Sequence, residues 1–195
     1  MGMPYSVLVP VFAKEVLHGG AHTFGFLMGA AGSGALVGTL YLASRHSVLG
    51  LDRMIVMATV FFAFGIAIFA ISSNFILSMS ALTVAGFGGM TLFSSCNTVL
   101  QTILDEDKRG RVMSFFTVSF MGVAPFGSLA AGSLAGNIGP CATLLLGSVG
   151  CLVGAAVFAR SLPQFREKIR PIYLRIGVIQ ERASGMENVL KEFEK

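Results

Sequence analysis

Five long stretches of this chain hold no Asp, Glu, Lys, Arg or His, and that constrains it more than any other feature. They are Phe24–Ala43, Met54–Ile71, Phe75–Cys96 with a polar extension to Leu104, Met113–Gly136 and Cys141–Ala159. Crossing the hydrocarbon core takes roughly 20 predominantly apolar residues in a helix. In lipid, backbone groups must be paired within the spanning structure, which leaves helices or closed barrels. Barrel strands alternate apolar and polar residues over about 10 positions. Val60-Phe61-Phe62-Ala63-Phe64-Gly65-Ile66 is apolar on every side, so the pattern predicts helices. A sixth apolar stretch, Met3–Leu17, is shorter and reads as the end of a longer helix.

Composition agrees. Charged residues make up 12% of the chain and hydrophobic ones 54%. A soluble domain carries about 25% charged residues, so this chain has too few to cover a water-facing surface. The 24 glycines lie in apolar surroundings, as in closely packed membrane helices. Cys96, Cys141 and Cys151 form no CxxC or Cys/His cluster, so each reads as a small hydrophobe and no metal is expected. Met1 to Pro10 lacks the basic start and small-residue cleavage site of a signal peptide.

The net charge of +4 is distributed by side, not gathered into a nucleic-acid-binding patch. Arg45 and Arg53, then Lys108, Arg109 and Arg111, then the segment from Arg160 onward fall in alternate connections, while the other set holds only Lys14. The positive-inside rule puts the basic set in the cytoplasm. The expected arrangement is a multi-pass protein of the inner or plasma membrane with a bundle over residues 1–160. Residues 161–195 then form a cytoplasmic tail interrupted by Pro163 and Pro171.

Four constellations stand out. In Phe24–Ala43, Gly25 and Gly29 form one GxxxG and Gly34 and Gly38 another, a smooth face for static packing or for a moving interface. In Met113–Gly136, Pro125 removes a backbone hydrogen bond, giving a structural kink or a bend that lines a cavity. The charged loop Asp105–Arg111 could latch a gate through Arg111 or lie solvated. On the fourth helix Thr91, Ser94, Ser95 and Thr98 share one face, and Asn97 and Gln101 an adjoining one. Polar groups in hydrocarbon must face protein or water, so this stripe touches substrate or bonds a neighbouring helix. His18, His22 and His46 fall in expected loops. No Walker A loop, HExxH motif or triad pattern argues for an enzyme, and no cofactor is implied.

Asn97-Thr98-Val99-Leu100-Gln101, Arg109-Gly110-Arg111-Val112-Met113-Ser114 and Phe120-Met121-Gly122-Val123-Ala124-Pro125-Phe126-Gly127 resemble the tenth-to-eleventh helix region of Major Facilitator Superfamily exporters. The branch is the enterobactin-exporter-like or transmembrane secretion effector group. Gly25 to Ala35 is similar to its eighth helix, and Arg170-Pro171-Ile172-Tyr173 with Gly177 to its C-terminus. The resemblance implies an all-α bundle corresponding to the C-terminal half of a twelve-helix transporter that works by alternating access. Met3–Leu17 would be the end of helix seven, followed by helices eight to twelve. It further implies a missing N-terminal six-helix half and an ion-coupled export activity on a small molecule. Within it, Thr91, Ser95, Asn97 and Phe126 are cavity candidates, Arg109 and Arg111 gate candidates, and Gly25, Gly29, Gly34, Gly38 and Pro125 packing positions. The family's GxxxDRxGRR loop motif is reduced here to Arg45 and Arg53. A non-transporting interaction module and a half-transporter that dimerises are the alternatives.

Overall fold

The computed structural model describes residues 5–17, 19–45, 48, 50–104 and 106–175. Among these residues six α-helices follow one another: α1 Tyr5–Glu15, α2 Ala21–Ala43, α3 Leu51–Ile71, α4 Phe75–Ile103, α5 Glu106–Ile138 and α6 Pro140–Arg175. Among the described residues there is no strand. The five helices from α2 to α6 are each long and apolar enough to cross a membrane. They contain the five uncharged stretches.

The turns are built by local chemistry. Asn74 caps α4, its side-chain oxygen accepting from the Ile76 and Leu77 amides at 2.9 and 3.4 Å. The Ser72 hydroxyl donates to the Asn74 carbonyl at 3.0 Å, and the buried Ser78 hydroxyl donates to Ser72 Oγ at 3.1 Å. Between α5 and α6, Gly139 takes φ +85°, the left-handed conformation that glycine tolerates. Pro140 follows at the first position of α6, where its missing N–H is not needed.

Three boundaries differ from the sequence reading. The loop Asp105–Arg111 is mostly the beginning of α5, which starts at Glu106. Acidic residues in a first turn complement the helix dipole, and Lys and Arg are good helix formers. His22 likewise joins the first turn of α2. More substantially, α6 continues through Pro163 and Pro171 to Arg175 instead of breaking up after Arg160. An interior proline costs a helix about 3 kcal/mol. Opposing that cost, the helix beyond Arg160 is docked: Phe165 packs in a cluster with Leu51, Ile55 and Val99, and Ile169 is buried. The expectations for residues 176–195 lie outside the described residues. α5 runs without a break through Pro125.

The core lies among α1, α2, α3 and α4. Leu8, Phe12, Leu27, Ile66, Phe69 and Leu82 are buried in one cluster, with Ala131 of α5 and Leu144 of α6 at its edge. Backbones approach closely where glycines meet carbonyls. A Cβ on Gly34 would collide with the Thr83 carbonyl, and one on Gly86 with the Ala31 carbonyl, so α2 and α4 touch backbone to backbone. α3 and α4 meet similarly: a Cβ on Gly65 would stand 2.7 Å from the Ala81 oxygen, and one on Gly88 2.6 Å from the Ala58 oxygen. Small residues permit this approach where no hydrophobic force drives helices together.

Candidate functional site

The polar face of α4 is the first candidate. Thr91 and Ser95, one turn apart, are 2% and 0% exposed. Thr91 faces α2, because a Cβ on Gly38 would stand 2.7 Å from its Oγ1. Most hydroxyls in these helices bond the carbonyl one turn back, as Thr83 does to Met79, Thr98 to Ser94 and Thr102 to Thr98. Thr91 Oγ1 and Ser95 Oγ do not, and among the described residues neither has any hydrogen-bond partner. A buried hydroxyl left unpaired costs about 1–3 kcal/mol. These two groups are therefore destabilising within the bundle, Thr91 at the α2–α4 contact.

Asn97 is half-buried on the neighbouring face. That face carries Phe93 one turn earlier, and Phe93 meets α5 through Phe120 and Phe116, with ring centroids 4.7 and 5.9 Å apart. The sequence reading missed this aromatic cluster; the four-residue spacing of Phe116 and Phe120 was its available signal. Phe126 stands apart from the other three cavity candidates. It is 74% exposed on α5, as are Phe115, Val118, Met121 and Leu129 at similar levels. The chain thus brings Thr91 and Ser95 together, sets Asn97 beside the α4–α5 contact, and turns Phe126 outward.

The glycine positions divide. Gly34 and Gly38 seat α2 on α4, whereas a Cβ on Gly25 or Gly29 would meet nothing within 4 Å. Gly65, Gly86 and Gly88, which the sequence reading did not single out, contribute as much close contact as the second GxxxG.

At the basic end of the bundle, Arg109 Nη2 donates to the Gln101 carbonyl at 3.3 Å, bracing the α4–α5 turn. Arg111 is exposed and makes no ion pair among the described residues. The ion pair that does form joins Arg166 of α6 to Asp52 in the first turn of α3, with side chains 45% and 13% exposed. No local pattern announced it, since its members are 114 residues apart. Tyr173 lies nearby: burial raises its phenol above the ordinary tyrosine value, and the charge of Asp52 adds to the effect.

Among the described residues, cavities open between the helices. One, of about 260 Å³, is lined by Thr39, Leu42, Ala43, Arg45, Val48, Leu51, Ser94 and Thr98. Another, of about 270 Å³, lies among α1, α3, α5 and α6 and is almost wholly apolar. None of Thr91, Ser95, Asn97 or Phe126 lines either one. Among the described residues no group of His, Cys, Asp and Glu could hold a metal ion.

Residues 4–173 match the sequence profile of a family described as transmembrane secretion effector. A staphyloferrin A transporter of Staphylococcus aureus is 26% identical over 129 residues, 66% of this chain and 32% of the relative. The chain therefore spans about a third of the length of that relative. No solved structure matches it.

Proposed function

The chain belongs to the transmembrane secretion effector family of the Major Facilitator Superfamily, and from that premise we propose that it forms one half of a small-molecule exporter working by alternating access and coupled to an ion gradient. The observation that carries this reading is the extent of the family match, residues 4–173, over a bundle with five membrane-length helices.

On this reading a second six-helix half covers the outward apolar face of α5, and the substrate path runs between the halves. Thr91, Ser95, Asn97 and Phe126 line it from this side. Thr91 is buried against α2 here and Ser95 is buried one turn further along α4, so they reach substrate only when the helices around α4 part. Their unpaired hydroxyls favour that parting, because exposure to water or substrate supplies the missing bonds. Arg111 meets a carboxylate of the other half at the gate. The basic end faces the cytoplasm, and the chain sits in the inner or plasma membrane. The five uncharged stretches contain no Asp, Glu, Lys, Arg or His, so the group that binds the coupling ion comes from the other half.

The test is flux in proteoliposomes. The chain is reconstituted alone and with a complementary six-helix half, and staphyloferrin A is the first compound tried. Gradient-dependent flux that requires both halves and falls with Asn97→Ala supports the reading. Absence of flux for any compound under any gradient refutes it. A second reading draws on the same exposed face of α5: two copies of this chain cover it mutually. Crosslinking between α5 helices in membranes, with flux from the chain alone, would establish that arrangement. A crosslinked complex without flux would make the chain an interaction module.

A further inference from the structure

We infer that the cavity between the end of α2, the start of α3 and α4 holds the phosphate headgroup of an anionic phospholipid, with the Arg45 guanidinium and the Ser94 hydroxyl as its donors.

The charge of Arg45 carries the inference. This side chain lines the cavity and is exposed, and among the described residues its guanidinium bonds only the thioether of Met54, Nη1 to Sδ at 3.2 Å. A thioether is a weak, neutral acceptor. Asp52, the carboxylate in the neighbouring first turn of α3, is engaged by Arg166. Arg45 is therefore a fork of donors at the cavity with no anion beside it among the described residues. Planar, bidentate donors match phosphate oxygens.

The hydroxyls around it are sorted by their bonds. Thr39 and Thr98 donate to the Ala35 and Ser94 carbonyls, both at 2.9 Å, so their protons are spent. Ser94 Oγ has no such bond among the described residues and keeps a donor for an incoming oxygen. The rest of the lining, Leu42, Ala43, Val48 and Leu51, is apolar. A cation and a hydroxyl set in apolar walls fit a charged head joined to a hydrocarbon body better than a fully hydrated ion. At about 260 Å³ the cavity falls just below the range of about 300–1,000 Å³ typical of sites for drug-sized ligands, which suits a headgroup. Its position at the basic end of a membrane bundle brings it to headgroup level, where basic pockets between helices bind anionic lipids.

The experiment counts lipid retained by the purified full chain in native mass spectrometry, after titration with short-chain phosphatidylglycerol or phosphatidylcholine. Phosphatidylglycerol is expected to be retained at least about ten-fold better, because the choline of phosphatidylcholine neutralises its phosphate and brings a second cation towards Arg45. Arg45→Gln removes that preference, Arg45→Lys weakens it, and Ser94→Ala lowers retention a few-fold. Arg53→Gln, which removes an exposed cation at the same end but outside the cavity, leaves retention unchanged. Equal retention of the two lipids overturns the inference, as does equal loss in the Arg45 and Arg53 variants, which would mean diffuse attraction. Inorganic phosphate that displaces phosphatidylglycerol at equal concentration assigns the site to free anions and overturns the lipid assignment. Thermal midpoints check each variant's folding; if Arg45→Gln does not fold, Arg45→Lys and Ser94→Ala decide.

Discussion

Replacing Gly34 by alanine should destabilise the bundle, although alanine is the better helix former. In an open helix position the exchange favours the fold by about 0.8–1.0 kcal/mol. At Gly34 the new methyl group would collide with the Thr83 carbonyl, a backbone atom that no rotamer change can move aside. α2 and α4 must separate, which also loosens the Gly38–Thr91 and Gly86–Ala31 contacts. Overpacking of this kind costs about 1–3 kcal/mol, and a clash with a backbone atom stands toward the upper end, so the net loss is up to about 2 kcal/mol. Gly25→Ala and Gly29→Ala are the matched controls on the same helix, where the added carbon meets nothing; both should be neutral or stabilise by up to about 1 kcal/mol. A thermal scan in detergent with a thiol-reactive dye suits this protein. It has no tryptophan, and Cys96, Cys141 and Cys151 are partly buried and become accessible on unfolding. At about 2–4 °C per kcal/mol for a chain of this size, Gly34→Ala should lower the midpoint by several degrees while the controls hold or rise. A midpoint for Gly34→Ala that rises alongside Gly25→Ala would refute the backbone contact between α2 and α4.

Three further outcomes are expected. Thr91→Val keeps the side chain's shape and deletes an unpaired hydroxyl, so it should be neutral or stabilising by about 1 kcal/mol in the same scan; a marked loss would mean the hydroxyl is bonded. Asn74→Ala removes the cap of α4 and should cost about 1 kcal/mol, with Asn74→Asp restoring most of it. Asp52→Asn and Arg166→Gln should each loosen the far end of α6, with a coupling in the double variant that fades at high salt, because the pair is partly exposed; limited proteolysis after Arg160 reads the loosening, and salt-independent coupling would contradict it.

The five spans were legible because each uncharged stretch is long enough to cross a bilayer and too apolar to live elsewhere. The Gly34–Gly38 face was legible because its spacing is local. Gly86 and Gly88 were not, since a glycine's role depends on which carbonyl lies opposite, and that is a property of two helices. The same limit hid the Asp52–Arg166 pair and the cavity at Arg45, which join residues far apart in sequence. Pro163 misled in the opposite direction: its local preference against helix is real, but the docking of Phe165 and Ile169 outweighs it. The polar stripe of α4 was found by spacing alone, yet the absence of partners at Thr91 and Ser95 becomes visible only with the neighbouring helices in place.

The continuity of α6 has a mechanical consequence. Its 36 residues extend about 54 Å at 1.5 Å per residue, against about 40–45 Å for a bilayer with its headgroups. The surplus emerges as a stiff rod, not a slack tether, and Arg166 fastens it to the first turn of α3. A torque on that rod reaches α3 directly, through Asp52. A bulky fusion there acts on the bundle as a handle, with the Asp52–Arg166 contact as its fulcrum.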